Sequence, residues 1–220
     1  MITLRGYYAI LDVLPAQSHD GARAAARAAR LLAGQPAMLQ VRAKGAPAAA
    51  LAALARAVLP LARTAGVPLC VNDRLDVALA VGAQAVHLGQ DDLPLAEARA
   101  VAAGRLLIGI STHNPPQAEA AIAGGADYIG LGPIFPTTTK ANPDPVVGLD
   151  VLRRIAATSP IPVVAIGGIT VQQAAVVAAA GAAAAALISA VETAPDPEAA
   201  ARSVNAAFQS VAESRPDSGR

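Results

Sequence analysis

The sequence has one cysteine and no excess of either charge, and these two shortages exclude several classes of protein. Cys70 has no second thiol for an internal disulfide, and its place in the apolar run VPLCVN favours a buried structural thiol over a nucleophile. Lysines and arginines number 17 against 16 acids, so no general field attracts nucleic acid or an anionic membrane. With no signal-peptide pattern in MITLRGYYAILD, the lone thiol predicts a cytoplasmic protein.

Three chemical signatures are also missing. No G-x-G-x-x-G follows the first strand-like run, which speaks against a dinucleotide-binding fold. The sequence has no recognisable Ser-His-carboxylate triad motif, and it has no cluster of histidines and cysteines with the spacing of metal ligands. Triad hydrolysis and zinc chemistry are therefore not indicated.

Residues 155–191 contain no charged side chain and are long enough to raise the possibility of a membrane span. Pro160, Pro162 and the pairs Gly167-Gly168 and Gln172-Gln173 divide this stretch into strand-sized and helix-sized pieces. A buried parallel sheet also produces continuous apolar runs, so we predict no membrane partner.

What the chain of 220 residues does contain is a regular alternation of short apolar runs and alanine-rich stretches. The predicted strands are residues 7–11, 38–42, 68–72, 85–88, 107–111, 128–131, 162–166 and 184–188. The predicted helices include residues 20–33, 47–65, 94–103, 116–124, 150–157, 171–180 and 197–212. Glycines fall where helices should end, at Gly66, Gly82, Gly104, Gly125 and Gly181.

This alternation predicts an α/β fold, a single (βα)8 TIM barrel of eight parallel strands over residues 1–213. An open doubly wound sheet is the main alternative, but it seldom needs eight consecutive strand–helix units. The polar tail, residues 214–220, is predicted to be disordered. Pro60 is expected to kink its helix or to split it into two.

In such barrels the chemistry lies at the carboxyl ends of the strands, and cations stand at the end of the second strand. Its sequence LQVRAK places Gln40, Arg42 and Lys44 on one face by strand alternation. Two cations and an amide at a barrel mouth suit a polyanionic ligand.

Acidic side chains follow the next two strands. Asn72 and Asp73 end the third, and Asp91 and Asp92 lie in the turn GQDD after the fourth. Beside cations already assigned to an anion, these carboxylates indicate a hard divalent metal, most simply Mg²⁺. Taken one at a time, without the neighbouring strands, each aspartate would be explained better as a helix cap.

The fifth strand ends in GISTHN, which offers Ser111, Thr112 and His113. A lone histidine in a loop is more often a surface or packing residue than a base. His87, inside the fourth strand, is interpreted as a hydrogen-bonded core histidine.

The last two strands and the loop before them are predicted to form a second anion site. Gly167 and Gly168 with Ile188 and Ser189 fit the phosphate site that loops 7 and 8 form in barrels, although a Gly-Gly pair is also plain turn chemistry. The loop PTTTK adds Thr137, Thr138, Thr139 and Lys140 beside it. A long proline-bounded loop in a compact domain usually has a function.

Six motifs in this order, QVRAK, VNDR, VHLGQDDLP, GISTH, GLGPIFPTTTK and VAIGGI, resemble the thiamine-phosphate synthase family from about residue 8 to residue 191. The resemblance implies a (βα)8 barrel that uses Mg²⁺ to join 4-amino-2-methyl-5-(diphosphooxymethyl)pyrimidine to 4-methyl-5-(2-phosphoethyl)thiazole. It implies that diphosphate leaves in a dissociative step and that the thiazole nitrogen captures the resulting cation. These two small molecules are the predicted partners.

The resemblance also assigns residues to roles, position by position. It implies that Asp73 and Asp92 bind Mg²⁺, and that Arg42, Lys44 and Lys140 stabilise the departing charge without a general base. The implied pyrimidine diphosphate residues are Gln40, Val41, Arg42, Ala43, Lys44, Asn72, Ser111 and Lys140. The implied thiazole phosphate residues are Thr137, Thr138, Thr139, Gly168, Ile188 and Ser189.

Two other functions remain open from the residues. A thiazole tautomerase with the same barrel would rely on a histidine, for which His113 is the candidate, but it has no diphosphate or metal to bind. A phosphate-binding barrel without activity is opposed by the retained Asp73, Asp92, Ser111 and Lys140.

Overall fold

The protein is seen here as a computed structural model, of which residues 4–137 and 145–213 are described. Eight strands lie in this part of the chain: β1 Gly6–Asp12, β2 Met38–Arg42, β3 Leu69–Asn72, β4 Ala85–Leu88, β5 Leu107–Thr112, β6 Tyr128–Leu131, β7 Val163–Ile166 and β8 Ala184–Leu187. All pair in parallel in chain order, and β1 pairs with β8 to close the barrel. The predicted barrel is confirmed, and the open doubly wound sheet is wrong because this sheet has no free edge.

Helices follow the strands in the described ranges. They are α1 Gly21–Ala33, α2 Ala48–Thr64, α3 Leu75–Val81, α4 Leu95–Ala102, α5 Pro115–Ala123, α6 Gly148–Thr158, α7 Ala174–Ala179, α8 Ser189–Glu192 and α9 Pro197–Glu213. The side chain of Asp20 caps α1 by accepting from the backbone N–H of Arg23. The five glycines expected at helix ends all have the positive φ that suits a terminating residue.

Strand alternation divides the buried side chains into two layers. One face of each strand packs against the helices and forms a large shell of leucine, valine, isoleucine and alanine. The other face points into the barrel, where Tyr8, Met38, Cys70 and Tyr128 are fully or nearly fully buried. Cys70 is therefore a buried free thiol, as predicted, and burial raises its pKa to about 11.

The barrel interior is crowded because it holds two tyrosine rings. Tyr8 and Tyr128 lie with ring centroids 6.1 Å apart. They face small residues, among them Gly109, Ala184 and Ala186. A Cβ on Gly109 would lie 2.1 Å from Cζ of Tyr128, so a glycine is required there by the adjacent ring.

Two expectations about Pro60 and residues 155–191 are settled by the fold. α2 continues through Pro60 as one helix, so a split there is wrong. Pro60 and Arg56 are exposed, and water can therefore bond the Arg56 carbonyl that the proline leaves without a donor.

Residues 155–191 form strands and short helices of the barrel, and no helix within the described ranges is long and apolar enough to cross a membrane.

Candidate active site at the carboxyl end of the barrel

The side chains at the end of β2 lie on one face, as alternation predicts. Gln40 is buried, and its Nε2 donates to the hydroxyl of Tyr8 at 2.9 Å. Arg42 donates to Oδ1 of Asp12, the last residue of β1, at 2.6 Å. This ion pair is about four-fifths buried, with side-chain exposures of 22% and 21%, so it holds the guanidinium at the mouth of the barrel.

Other members of the predicted LQVRAK set have different environments. Val41 and Ala43 are buried in the shell between the barrel and the helices, so only their backbone can face a ligand at the mouth. Lys44 is exposed just beyond the strand. Asn72 is buried at the end of β3, where it is paired in register with His87 of β4.

Asp73 and Asp92 come together in space. Burial, followed by the charge of Asp92 and a hydrogen bond with it, raises the pKa of Asp73 from its ordinary value of 3.8 to about 6, while Lys44 and Arg42 act in the opposite direction. The predicted carboxylates and cations therefore form one electrostatic group.

The local backbone supports this arrangement of acids. Asp73 has a left-handed φ of 62°, which is uncommon for a residue other than glycine. Oδ2 of Asp92 accepts from the backbone N–H of Gly89 at 2.6 Å. Asp91 is exposed. In the described part of the chain no group of three or more His, Cys, Asp or Glu side chains is placed to hold a metal ion, so the acidic centre consists of two carboxylates.

Ser111, at the end of β5, is joined to the barrel interior. Its Oγ lies 2.9 Å from Nε2 of His87, and Nδ1 of His87 lies 3.1 Å from the hydroxyl of Tyr128. The prediction that His87 is hydrogen-bonded is confirmed, although its side chain is half-buried and not part of the fully buried core. Thr112 is fully buried and donates to the carbonyl of Gly130, which is a structural contact.

His113 has contacts that hold the following loops. Its Nδ1 donates to the carbonyl of Gly132 at 2.7 Å, since a carbonyl can only accept. Its backbone N–H donates to the side chain of Gln117 in α5. The ring therefore fixes the beginning of the loop after β6.

The base of the loop after β6 is attached to the Gly-Gly turn after β7. The N–H groups of Ile134 and Phe135 donate to the carbonyls of Ile166 and Gly167, at 2.9 and 3.0 Å. Both glycines have left-handed φ, and a Cβ on Gly168 would lie 2.4 Å from the carbonyl oxygen of Pro136. The glycines are required by the close approach of this loop.

The far end of the same loop returns to its base, where the N–H of Val147 donates to the carbonyl of Pro133 at 2.7 Å. Thr137 is half-buried on this loop. The predictions for Thr138, Thr139 and Lys140, and that of a disordered tail over residues 214–220, lie outside the described residues.

The end of β8 leads directly into the short helix α8. Ile188 is half-buried and precedes the helix, and Ser189 is its exposed first residue. Glu192 of α8 forms a two-pronged ion pair with Arg27 of α1, at 2.5 and 2.9 Å. Arg27 also donates to the backbone carbonyl of Asp12 at 2.8 Å, which ties α8 to the end of β1.

Sequence reasoning missed four residues of this region: Tyr8, Asp12, Arg27 and Tyr128. The sequence contains a signal for Asp12, because this residue directly follows the first predicted strand, at the end of the barrel where polar side chains were sought, and the sheet register places it beside Arg42. The sequence contains no comparable signal for Tyr8 and Tyr128, because tyrosine is common in buried strands of any function.

A groove of about 450 Å³ lies at the opposite, amino-terminal end of β4 to β6. Its cations have local partners: Arg99 pairs with Asp127 at 2.7 Å, and Arg105 donates to the carbonyls of Ala102 and Val101. Because these arginines are already paired, the groove does not offer a second anion site.

The chain is a closed (βα)8 barrel of the TIM-barrel class, and its carboxyl end gathers Arg42, Lys44 and two carboxylates. The family described as thiamine monophosphate synthase matches residues 10–191. The chain therefore belongs to the thiamine monophosphate synthase family, and it is a transferase of thiamine biosynthesis.

Individual relatives agree with this family. Thiamine-phosphate synthase of Roseiflexus sp. (strain RS-1) is 45% identical over 182 residues, which are 83% of this chain and 77% of the relative. Thiamine-phosphate synthase of Chloroflexus aurantiacus is 51% identical over 146 residues, 66% of this chain and 67% of the relative. The solved structure of a thiamine phosphate pyrophosphorylase from Pyrococcus furiosus superposes with a TM-score of 0.82 at 34% identity, over 96% of this chain and 98% of the other.

Proposed function

We propose that this protein joins 4-amino-2-methyl-5-(diphosphooxymethyl)pyrimidine to 4-methyl-5-(2-phosphoethyl)thiazole in an Mg²⁺-dependent reaction that yields thiamine phosphate and diphosphate. The observation that carries the proposal is the grouping of Asp73 and Asp92 beside Arg42 and Lys44. A diphosphate with its counter-cation needs both kinds of charge at one place.

The acidic centre fits a hard cation. Two carboxylates that share a hydrogen bond, and of which one has its pKa raised to about 6, repel each other when both are ionised, and a divalent ion removes that repulsion. Asp73 and Asp92 would hold Mg²⁺, and substrate phosphate oxygens would complete its ligands. When bound, the ion supplies positive charge to the leaving diphosphate.

The protein's own cations would serve the same bond cleavage. The carbon–oxygen bond between the pyrimidine methylene and the diphosphate breaks with its electron pair on the diphosphate, whose charge Arg42, Lys44 and Lys140 stabilise. The thiazole nitrogen then uses its lone pair to form the new carbon–nitrogen bond. No proton moves in this sequence, so no general base is required.

The second substrate would bind on the other side of the mouth. Gly168, Ile188 and Ser189 lie at the ends of β7 and β8, where barrels commonly bind phosphate. Thr137, Thr138 and Thr139 would contribute hydroxyls from the loop that is attached to Gly167. Thus the two phosphate-bearing groups would meet across one barrel mouth.

The test is to incubate the purified protein with both substrates, with Mg²⁺ or with EDTA, and to measure thiamine phosphate. We expect Mg²⁺-dependent product, and a loss of roughly a hundredfold or more in turnover for Arg42→Ala and for the double variant Asp73→Asn, Asp92→Asn. Arg202→Ala, in an exposed pair on α9, is the matched control and should retain turnover. Tight binding of both substrates without product would contradict the proposal.

The tautomerase is tested in the same preparation with a thiazole carboxylate phosphate. We expect the wild-type protein to show no isomerase activity. Because the His113 ring donates to the carbonyl of Gly132, His113→Ala should instead affect the loop after β6. Isomerisation by the wild type that His113→Ala abolishes would favour the tautomerase.

A further inference from the structure

A line of hydrogen bonds crosses the barrel interior between two side chains that the proposed function assigns to the pyrimidine diphosphate. It begins at Gln40, whose Nε2 donates to the hydroxyl of Tyr8 at 2.9 Å. That hydroxyl lies 3.0 Å from the hydroxyl of Tyr128, which lies 3.1 Å from Nδ1 of His87. Nε2 of His87 lies 2.9 Å from Oγ of Ser111, so β2, β1, β6, β4 and β5 are joined in turn.

The first donor sets the direction of this line. An amide nitrogen can only donate, so the Tyr8 oxygen accepts from Gln40 and the single hydrogen of Tyr8 is directed to Tyr128. The acceptors beside the hydrogen of Tyr128 are Nδ1 of His87 at 3.1 Å and the Cys70 sulfur at 3.8 Å, and the imidazole nitrogen is the stronger acceptor of the two. A neutral imidazole that accepts at Nδ1 carries its proton on Nε2, and it therefore donates to Ser111.

The opposite direction leaves one buried hydrogen without a good acceptor. Tyr8 would then accept from both Gln40 and Tyr128, and its hydrogen would have only the Cys70 sulfur nearby, which is a weak acceptor. Tyr8 and Tyr128 are both fully buried from water, so neither can exchange a missing partner for solvent. The first direction gives each hydrogen in the line an oxygen or nitrogen acceptor.

From this direction we infer that Tyr8, Tyr128 and His87 are positioning residues that fix Ser111 as a hydrogen-bond donor to the substrate diphosphate. Because Ser111 accepts from His87, its own hydrogen is left to point into the mouth, where Arg42 and Lys44 lie. A hydroxyl that accepts from the ring keeps its own hydrogen available for an anion instead of donating it to the imidazole. The inference rests on the proposed function, and its first test below does not require a substrate.

The first test measures the tautomer of His87 by ¹⁵N NMR of ring-labelled protein at neutral pH. His87→Gln identifies the signals that belong to this ring among the three histidines. We expect a neutral ring protonated at Nε2 in the wild type, and loss of that fixed tautomer in Tyr128→Phe. A wild-type ring protonated at Nδ1, or at both nitrogens, would overturn the inference whatever reaction the protein catalyses.

The second test is a double-mutant cycle on turnover at saturating substrates. Ser111→Ala should lower kcat roughly tenfold because it removes the charge-assisted hydrogen bond to the diphosphate, and Tyr128→Phe should lower kcat by up to the same factor because it releases the His87 tautomer that keeps the Ser111 hydrogen available. The double variant should then lie within about twofold of Ser111→Ala. Losses that multiply to roughly a hundredfold would show that Tyr128 acts independently of Ser111 and would overturn the inference.

Two controls separate orientation from folding. Tyr7→Phe removes a buried hydroxyl from the same strand as Tyr8 but outside the line, and it should leave kcat unchanged. If Tyr128→Phe does not fold, Tyr8→Phe removes the donor that directs Tyr128 toward His87, and it should give a smaller loss of kcat that again does not add to that of Ser111→Ala. A wild type that makes no thiamine phosphate contradicts the proposed function, and the tautomer measurement still decides the direction of the line.

Discussion

At the scale of single residues, Tyr7 and Tyr8 are neighbours in β1 whose hydroxyls have different surroundings. Tyr8 points into the barrel and has partners on both sides. Tyr7 points to the helices, and its hydroxyl is the one buried side-chain polar atom without a hydrogen-bond partner in the described ranges. Burial raises the pKa of Tyr7, and the charge of Glu192 raises it further, so the hydroxyl stays neutral.

Because of this difference, replacing tyrosine by phenylalanine should have different effects on the free energy of unfolding at the two positions. Tyr7→Phe removes an unsatisfied group and should leave the free energy of unfolding unchanged or raise it by up to about 1 kcal/mol. Tyr8→Phe leaves partners of the lost hydroxyl unpaired and should lower it by about 1–3 kcal/mol. Urea denaturation of both variants gives the comparison, and equal losses would contradict it.

Gly109 provides a second prediction at this scale. Gly109→Ala places a methyl group within the Tyr128 ring, so the ring must shift, at a cost of about 1–3 kcal/mol in unfolding free energy. Gly21→Ala is the matched control, because its Cβ would be in ordinary contact with Ala57. Thermal unfolding should show a lower Tm for the first variant only. A Gly109→Ala protein with wild-type Tm would mean that the interior has spare room.

At the scale of elements, α8 depends on its neighbours. A helix of four residues is unstable by itself, so its position is set by contacts such as the ion pair of Glu192 with Arg27. Since Ser189 begins α8, this pair also positions the proposed thiazole phosphate site.

Glu192→Gln should therefore raise the KM for the thiazole phosphate roughly fivefold, or about 1 kcal/mol, and leave the KM for the pyrimidine diphosphate within about twofold. Steady-state kinetics with each substrate varied in turn measures both values. Glu198→Gln, which breaks an exposed pair with Arg202 on α9, should change neither. Equal increases for both substrates would contradict a local role for α8.

The elements also show what a sequence can predict. β2, β4 and β6 have the predicted bounds, and the side-chain alternation of β2 correctly placed Gln40 and Arg42 together, because strand period is a local property. The bond between Tyr8 and Tyr128 joins residues 120 positions apart, and no local pattern encodes it. α8 was not predicted because a four-residue helix has no periodicity to detect.

At the scale of the whole molecule, barrel closure is what creates the acidic centre. Asp73 and Asp92 follow different strands and become neighbours only because β3 pairs with β4. The folded protein raises the pKa of Asp73 above its ordinary value of 3.8, so its contribution to stability is fully present below that pH and is lost as the pH rises through about 6.

Mg²⁺ should consequently stabilise the protein more at pH 7.5 than at pH 5, because protons no longer compete for the carboxylates. Thermal unfolding with and without Mg²⁺ at both values measures this, with Na⁺ at equal ionic strength as the control. Asp92→Asn should raise the Tm of the metal-free protein at pH 7.5 and remove the Mg²⁺ effect. An Mg²⁺ effect that is the same at both values would contradict the assignment.

The two buried phenols beneath the mouth also give the protein an optical property. The chain has no tryptophan and three tyrosines, all buried, and two of them lie in the barrel interior. Its ultraviolet emission therefore originates in the barrel, partly from rings that are one or two hydrogen bonds from Gln40 and Ser111. The unmodified protein carries its own fluorophore at the place where substrates are proposed to bind, and titrations can be followed without a dye.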